Sequence, residues 1–337
     1  MATPLCLGKP RHWLAPLAGV LVLIGCDQTG SEGTRTDHDI RVMMIGKGRD
    51  DPTWPVLEAA ARRFVEGYPS ALVEVVAPRT DSPTDQRTML KDMLKKDVQA
   101  ICVWPSDPTA IRALVDELCL KGVPVVTFGR DCPGSRRRTY CGPTEFELGQ
   151  AAAEACAAIL STRKRTSMLL HAGAEDEVYG RRYYGFMSGL DRVGTIKLIR
   201  AVDCRKDRFT ATRLVRAETR RYPRVGCWIF LDDWPLRSLR PEESVIPLGI
   251  PVVLADDSPV HWDRLRNGQL QAMLGCDIHM VAWEALVAAV HLARGDPTPQ
   301  TTTVSVPVEI VTRKDLDSVS QRWDIWRKGE PTPRTGR

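Results

Sequence analysis

Two runs decide the fold: Ala100-Ile101-Cys102-Val103-Trp104-Pro105-Ser106-Asp107, and Gly122-Val123-Pro124-Val125-Val126-Thr127-Phe128-Gly129-Arg130. Each is a short apolar segment that ends in turn-forming or polar residues. Strands buried on both faces of a parallel sheet read this way. Between them, Thr109 to Leu120 reads as a helix. Toward the N-terminus, Arg41 to Ile45 and Ala71 to Val76 are strand candidates, and Asp85 to Leu94 is a helix candidate. Trp54 to Val65 places apolar residues at 56, 57, 60, 61, 64 and 65, a helical period. The resulting β-α-β-α-β-α-β order predicts a parallel sheet with helices on both faces.

Toward the C-terminus the pattern repeats. Glu145 to Leu160, Tyr179 to Leu190, Phe209 to Arg221, Val260 to Asn267 and His279 to Ala293 read as helices. Ser167 to His171, Ile196 to Val202, Gly226 to Leu231, Val252 to Ala255 and Leu270 to Leu274 read as strands. Pro235, Pro241, Pro247 and Pro251 leave room only for a short or broken helix between the third and fourth of these strands. The expected class is α/β, two doubly wound parallel-sheet lobes. The last residues, 321–337, are expected to form an irregular tail.

The chain has 337 residues, more than one compact core usually holds. Its 43% hydrophobic and 26% charged residues are those of a globular protein, and a net charge of +5 gives no footprint for nucleic acid. Lys9, Arg11 and His12 precede an apolar run, Leu14 to Ile24, broken only by Pro16 and Gly19. The run is shorter than the roughly 20 residues a spanning helix needs and has the length of a signal-peptide core. Leu23-Ile24-Gly25-Cys26 resembles a bacterial lipobox, which implies a signal peptide at 1–25, a lipid on Cys26 and a flexible tether at 26–37. Of the ten cysteines, Cys132 and Cys141 flank a short loop that a disulfide would close, with Cys204 and Cys227 as a weaker pair. Cys102, Cys119, Cys156 and Cys276 lie in apolar runs and read as buried thiols.

Several segments resemble the ribose- and galactose-type periplasmic solute-binding proteins. They are Asp50-Asp51-Pro52-Thr53-Trp54 after the first strand, the two quoted runs, Arg182-Tyr183-Tyr184-Gly185-Phe186, Leu231-Asp232-Asp233 and Leu254-Ala255-Asp256-Asp257. The resemblance spans roughly residues 39–312 and rests on their order and spacing. It implies a chain that crosses between lobes near Gly142, Cys276 and Val306. One lobe would be 38–141 plus 277–305 and the other 142–276 plus 306–320, with a ligand cleft between them. Three positions depart from the family's sugar-contact pattern: Gly129, Gly180 and Cys276.

A sugar or polyol needs aromatic platforms for its CH faces and charged groups for its hydroxyls. The strand ends supply Asp51, Trp54, Trp104, Arg130, Asp232, Asp233 and Asp256, and Arg182 comes from the Gly-Phe helix. The expected role is binding, with no catalytic residue, cofactor or metal. The sequence holds no G-x-S-x-G, H-E-x-x-H or P-loop. Asp277, His279 and His261 have only generic metal spacing, and Gly46-Lys47-Gly48 lacks the third glycine of a dinucleotide loop. The resemblance implies a small-molecule ligand, an ABC permease as partner and a lipid-anchored place on the outer face of a membrane. A sensor of the same fold that signals to a membrane protein is the alternative.

Overall fold

A computed structural model describes residues 40–160, 165–237, 239–296 and 302–328. The expected signal peptide, the tether and Cys26 lie outside these residues. The first sheet contains β1 (Ile40–Ile45), β2 (Ala71–Val76), β3 (Ala100–Val103), β4 (Val125–Phe128), β5 (Thr139–Cys141) and the late strand β11 (Thr303–Val304). Its order is β11-β5-β4-β3-β1-β2, and every pairing is parallel. The second contains β6 (Thr166–His171), β7 (Lys197–Asp203), β8 (Cys227–Phe230), β9 (Val252–Leu254), β10 (Ala272–Gly275) and β12 (Glu309–Thr312). Its order is β12-β10-β9-β8-β6-β7, parallel except where β12 runs against β10. These are the two doubly wound α/β lobes. The chain passes between the sheets at 142–144, 276–277 and 305–308.

The apolar runs form strands because both of their faces are covered. In β3 and β4, Cys102, Val126 and Phe128 pack on one side with α1 (Trp54–Gly67) and α8 (Ile278–Arg294). Ile101 and Val125 pack on the other with α2 (Pro83–Met93) and α3 (Pro108–Leu120). Met44, Phe64 and Phe128 are fully buried, each contributing about 1.5–3 kcal/mol relative to exposure. Polar residues start the helices. Asp107 accepts from the Thr109 and Ala110 amides (2.8 and 3.3 Å) ahead of Pro108 in α3. Thr144 and Glu147 form a reciprocal cap on α4 (Glu145–Ile159).

In the second lobe, α4 lies against α5 (Tyr179–Val193) with almost no gap. A Cβ at Gly149 would overlap the backbone of α5, and one at Gly185 the backbone of α4. This approach brings Arg182 of α5 to Glu145 of α4. The remaining helices are α6 (Arg208–Arg221), α7 (Trp262–Arg266) and α9 (Leu316–Arg327). No helix among the described residues is long and apolar enough to cross a membrane.

The structure departs from the sequence reading in four places. Strands β5, β11 and β12 are not among the expected ones, because they are short and carry polar residues (Thr139, Thr303, Glu309, Thr312) in place of an unbroken apolar run. The helix expected over 260–267 is a 3-10 turn at Pro259–His261 followed by α7. The tail expected to be irregular from 321 is helical through Arg327. Leu316, Val319, Trp323 and Trp326 share one buried face of α9, which earns that helix its order. The expected disulfides are not formed, and Cys132, Cys141, Cys204 and Cys227 are free and buried. Cys141 belongs to the apolar cluster on one face of the first sheet and Cys132 to the cluster on the other. Cys204 and Cys227 are separated in the same way across the second sheet. Burial pushes the Cys141 thiol up to about 12, which leaves it inert.

Candidate functional site

Two cavities lie where the strand ends of the lobes face each other. A hinge-side pocket of about 110 Å³ is lined by residues that include Lys47, Trp104, Arg130, Asp256, Asp257 and Trp323. A rim-side chamber of about 440 Å³ is lined by residues that include Ser106, Arg130, Tyr179, Lys206 and Trp234. Arg130 lines both. At the rim, Arg112 of the first lobe is ion-paired with Glu177 of the second.

The first lobe's wall is fixed by a buried amide. Gln86 donates to the Gly46 carbonyl (3.0 Å) and the Trp104 carbonyl (2.7 Å), and it accepts from the Ser106 amide (2.9 Å). It thereby ties the loop after β1 to the loop after β3. The Trp104 indole lies flat on Gly129, whose φ is +66° and where a Cβ would overlap the ring. The departure at Gly129 therefore has a steric cause. Above the same indole sits the Lys47 ammonium, 4.7 Å from the ring centre and 2.8 Å from Asp51. Burial pulls the Lys47 pKa down, but Asp51 more than offsets it and the net direction is upward. Asp51 also accepts from the Thr53 amide (2.9 Å) at the start of α1. Arg130 donates from Nη1 to the Ser106 carbonyl (2.9 Å). Among the described residues it has no carboxylate within ion-pair distance, so its remaining donors face the cavities unpaired.

The second lobe's wall is an ion network. Arg182, 6% exposed, donates to Glu145 (2.6 Å) and to the Leu231 and Ala255 carbonyls, and it stands 3.9 Å from Asp232. The carbonyls are those that end the edges of β8 and β9, so Arg182 holds both strand ends in place. Asp232 and Asp233 are both paired with Arg237, and Asp233 also meets His261 Nε2 at 3.2 Å. Burial raises the Asp232 carboxyl, but a side-chain hydrogen bond with Asp233, then Arg237 and Arg182, more than offset it, and its net direction is downward. Burial, then the neighbouring carboxylates, holds Asp233 upward. Asp256 and Asp257 have no cation within ion-pair distance among the described residues. Asp256 accepts from the Ser258 amide (2.7 Å) and Asp257 from the Cys276 amide (3.3 Å). Asp257 reaches that amide because residue 275 is glycine, since a Cβ there would overlap its carboxylate. Burial, and next the charge of Asp256, pushes Asp257 up to about 7.

The only metal-like grouping among the described residues is Asp232, Asp233 and Asp256, with one oxygen from each within 4.8 Å of the others. The Arg237 guanidinium already supplies the cation for two of them. The predicted residues thus divide. Trp104, Arg130, Arg182, Asp232, Asp256 and Asp51 line the hinge-side pocket. Trp54 and Asp233 line neither chamber; Trp54 packs beneath Arg49, and Asp233 is held by Arg237 and His261. The sequence reading does not select Lys47, Tyr179, Ser106 or Trp323 as site residues, and it names Asp257 and Trp234 only as strand-end neighbours of Asp256 and Asp233. Lys47, Asp257 and Ser106 all stand within three residues past a strand end, the same signal that selected Arg130. Trp323 had no such signal, because it arrives on a helix from the far end of the chain.

A two-lobed architecture with a charged interlobe cleft has counterparts. Residues 42–297 match the family model described as a periplasmic binding protein domain. The chain is a member of the periplasmic binding protein family. No curated protein shows significant similarity to it. Among solved structures, this binding protein is similar to an arabinose-binding protein from Geobacillus stearothermophilus (TM-score 0.69, 16% identity, covering 83% of this chain and 99% of that one). It is also similar to an ABC transporter solute-binding protein from Burkholderia graminis in complex with D-arabinose (TM-score 0.66, 18% identity, 84% and 98% covered). A third is an ABC transporter solute-binding protein from Bacillus halodurans with bound myo-inositol (TM-score 0.65, 16% identity, 86% and 100% covered). At these identities the likeness establishes the binding-protein fold.

Proposed function

We propose that this protein is an extracytoplasmic solute-binding lipoprotein that traps a sugar or polyol between its lobes and delivers it to an ABC importer. The observation that carries this reading is the cleft itself. Arg130 from the first lobe and Asp256 from the second line one pocket, each with hydrogen-bonding capacity left over. Arg130 offers donors in a planar fork, and Asp256 is an acceptor, a pair suited to adjacent hydroxyls. Trp104 supplies an apolar surface beside them. Relatives of the same fold carry arabinose and inositol, which supports a polyhydroxylated ligand. The lipobox-like Leu23-Ile24-Gly25-Cys26 supports anchoring through Cys26.

Calorimetry against a panel of sugars and cyclitols tests the reading. Arg130→Ala and Asp256→Ala should each weaken binding about tenfold to hundredfold, the loss of a charged hydrogen bond in a closed site. Arg136→Ala, on an exposed loop, should leave it unchanged. If both cleft variants stay folded and bind like the parent protein, the ligand sits elsewhere. Cys26→Ala should release the protein from membranes or leave an uncleaved precursor.

A further inference from the structure

Resting on the reading of the cleft as a saccharide site, we propose that the ligand is longer than one sugar ring: a disaccharide or glycoside whose body lies in the rim-side chamber and whose polar end passes Arg130 into the hinge-side pocket.

Size is the first argument. The hinge-side pocket, at 110 Å³, has the room of roughly four waters and falls below the about 300–1,000 Å³ usual for small-molecule sites. A single pyranose has about a dozen non-hydrogen atoms, some three times that many. The pocket therefore accepts one edge of a ring and leaves the rest outside. The rim-side chamber, at 440 Å³, falls inside the usual range.

Chemistry is the second argument. Tyr179 and Trp234 form a corner of the rim-side chamber, with ring centres 6.5 Å apart at 64°. Such a corner offers two apolar surfaces to a sugar ring. Arg237, which also lines the chamber, lies 4.2 Å from the Trp234 ring centre. Trp234 Nε1 and Ser106 Oγ, on residues of this chamber's wall, are buried and have no hydrogen-bond partner among the described residues. Buried polar groups seldom stay unpaired in a finished site, and a ligand hydroxyl or glycosidic oxygen would satisfy them. In the hinge-side pocket, Asp256 is an acceptor with no cation against it and calls for a hydroxyl donor. Arg130 is the residue common to both walls, and it is 5.9 Å from the Tyr179 ring centre. With only Nη1 engaged, it has donors to spare for the linkage between the two units.

The test uses the full chain, with thermal shift and calorimetry on two sets of probes. One set is D-arabinose, D-xylose, D-glucose, D-galactose and myo-inositol; the other is maltose, cellobiose, lactose, trehalose and xylobiose. The expected result is that at least one disaccharide binds, with its component monosaccharide at least about 100-fold weaker. Trp234→Phe keeps the aromatic surface over Arg237 and removes the N–H. It should weaken the disaccharide about five- to tenfold at unchanged unliganded Tm. A monosaccharide that binds as tightly as every disaccharide containing it, with no effect of Trp234→Phe, overturns the inference and leaves the sugar-binding reading standing. Binding of neither set removes that reading and the inference with it.

Discussion

Asp257→Asn should abolish a large pH dependence of stability in the unliganded protein. Asp257 is held protonated up to about 7, where an ordinary aspartate ionises near 3.8. Between those values the folded state carries a proton that the unfolded state has released, so stability falls as pH rises through this window. At 1.36 kcal/mol per pH unit, the loss by about pH 8 reaches at most about 4 kcal/mol. Relaxation around the carboxylate reduces this, and a change of at least about 1 kcal/mol is expected. Asparagine is neutral throughout and keeps an oxygen for the Cys276 amide. At about pH 4 the two proteins should be similarly stable, and the gap should widen as pH rises, until at about pH 8 the variant unfolds at higher urea concentration and at a Tm several degrees higher. Urea titrations at five pH values between about 4 and 8 give the difference curve. A flat curve, or one in which the parent gains on the variant as pH rises, refutes the assignment of a raised carboxyl to Asp257.

Other perturbations follow from the same network. Arg182→Met should cost about 3–5 kcal/mol, because it strands Glu145 as an unpaired buried carboxylate and takes the donor from the Leu231 and Ala255 carbonyls; chemical denaturation reads it, and a loss under about 1 kcal/mol would show that the network carries little. Gly129→Ala should both destabilise the fold and push Trp104 into the hinge-side pocket, seen as a shift in tryptophan emission together with weaker binding. Arg112→Ala removes a half-exposed rim pair; it should change stability by less than about 1 kcal/mol while raising the ligand off-rate in stopped-flow measurements. Cys132 and Cys141 should both be alkylated only after unfolding, and non-reducing peptide maps should find them unlinked.

Most of the architecture was legible because the strands of a sheet covered on both faces are apolar without interruption, and helices alternate with them at regular intervals. What stayed hidden was short or distant. Two-residue β11 and three-residue β5 offer no unbroken apolar run to read, unlike three-residue β9. The reading of Cys132 and Cys141 as a disulfide used separation along the chain, but a strand sends its side chains to alternate faces, and here the intervening sheet decides. At the site, residues just past a strand end were visible one at a time, as with Arg130 and Asp256. Their pairing state was not. Nothing in the sequence says that Asp51 is committed to Lys47, that Asp233 is shared by Arg237 and His261, or that Trp104 needs glycine at 129. Trp323 reaches the pocket across more than half the chain, beyond the range of any local pattern.

The interleaved path of the chain has a consequence for how the protein is made. The first sheet's face bearing Met44, Cys102, Val126 and Phe128 is covered by α8 and completed by β11. Both are synthesised only after the whole run from α4 to β10. A nascent chain that has emerged as far as residue 276 therefore carries an apolar sheet face that α1 covers only in part. Such a face is prone to aggregate. Its early half must be kept unfolded or shielded until α8 arrives, so the first lobe closes its core late.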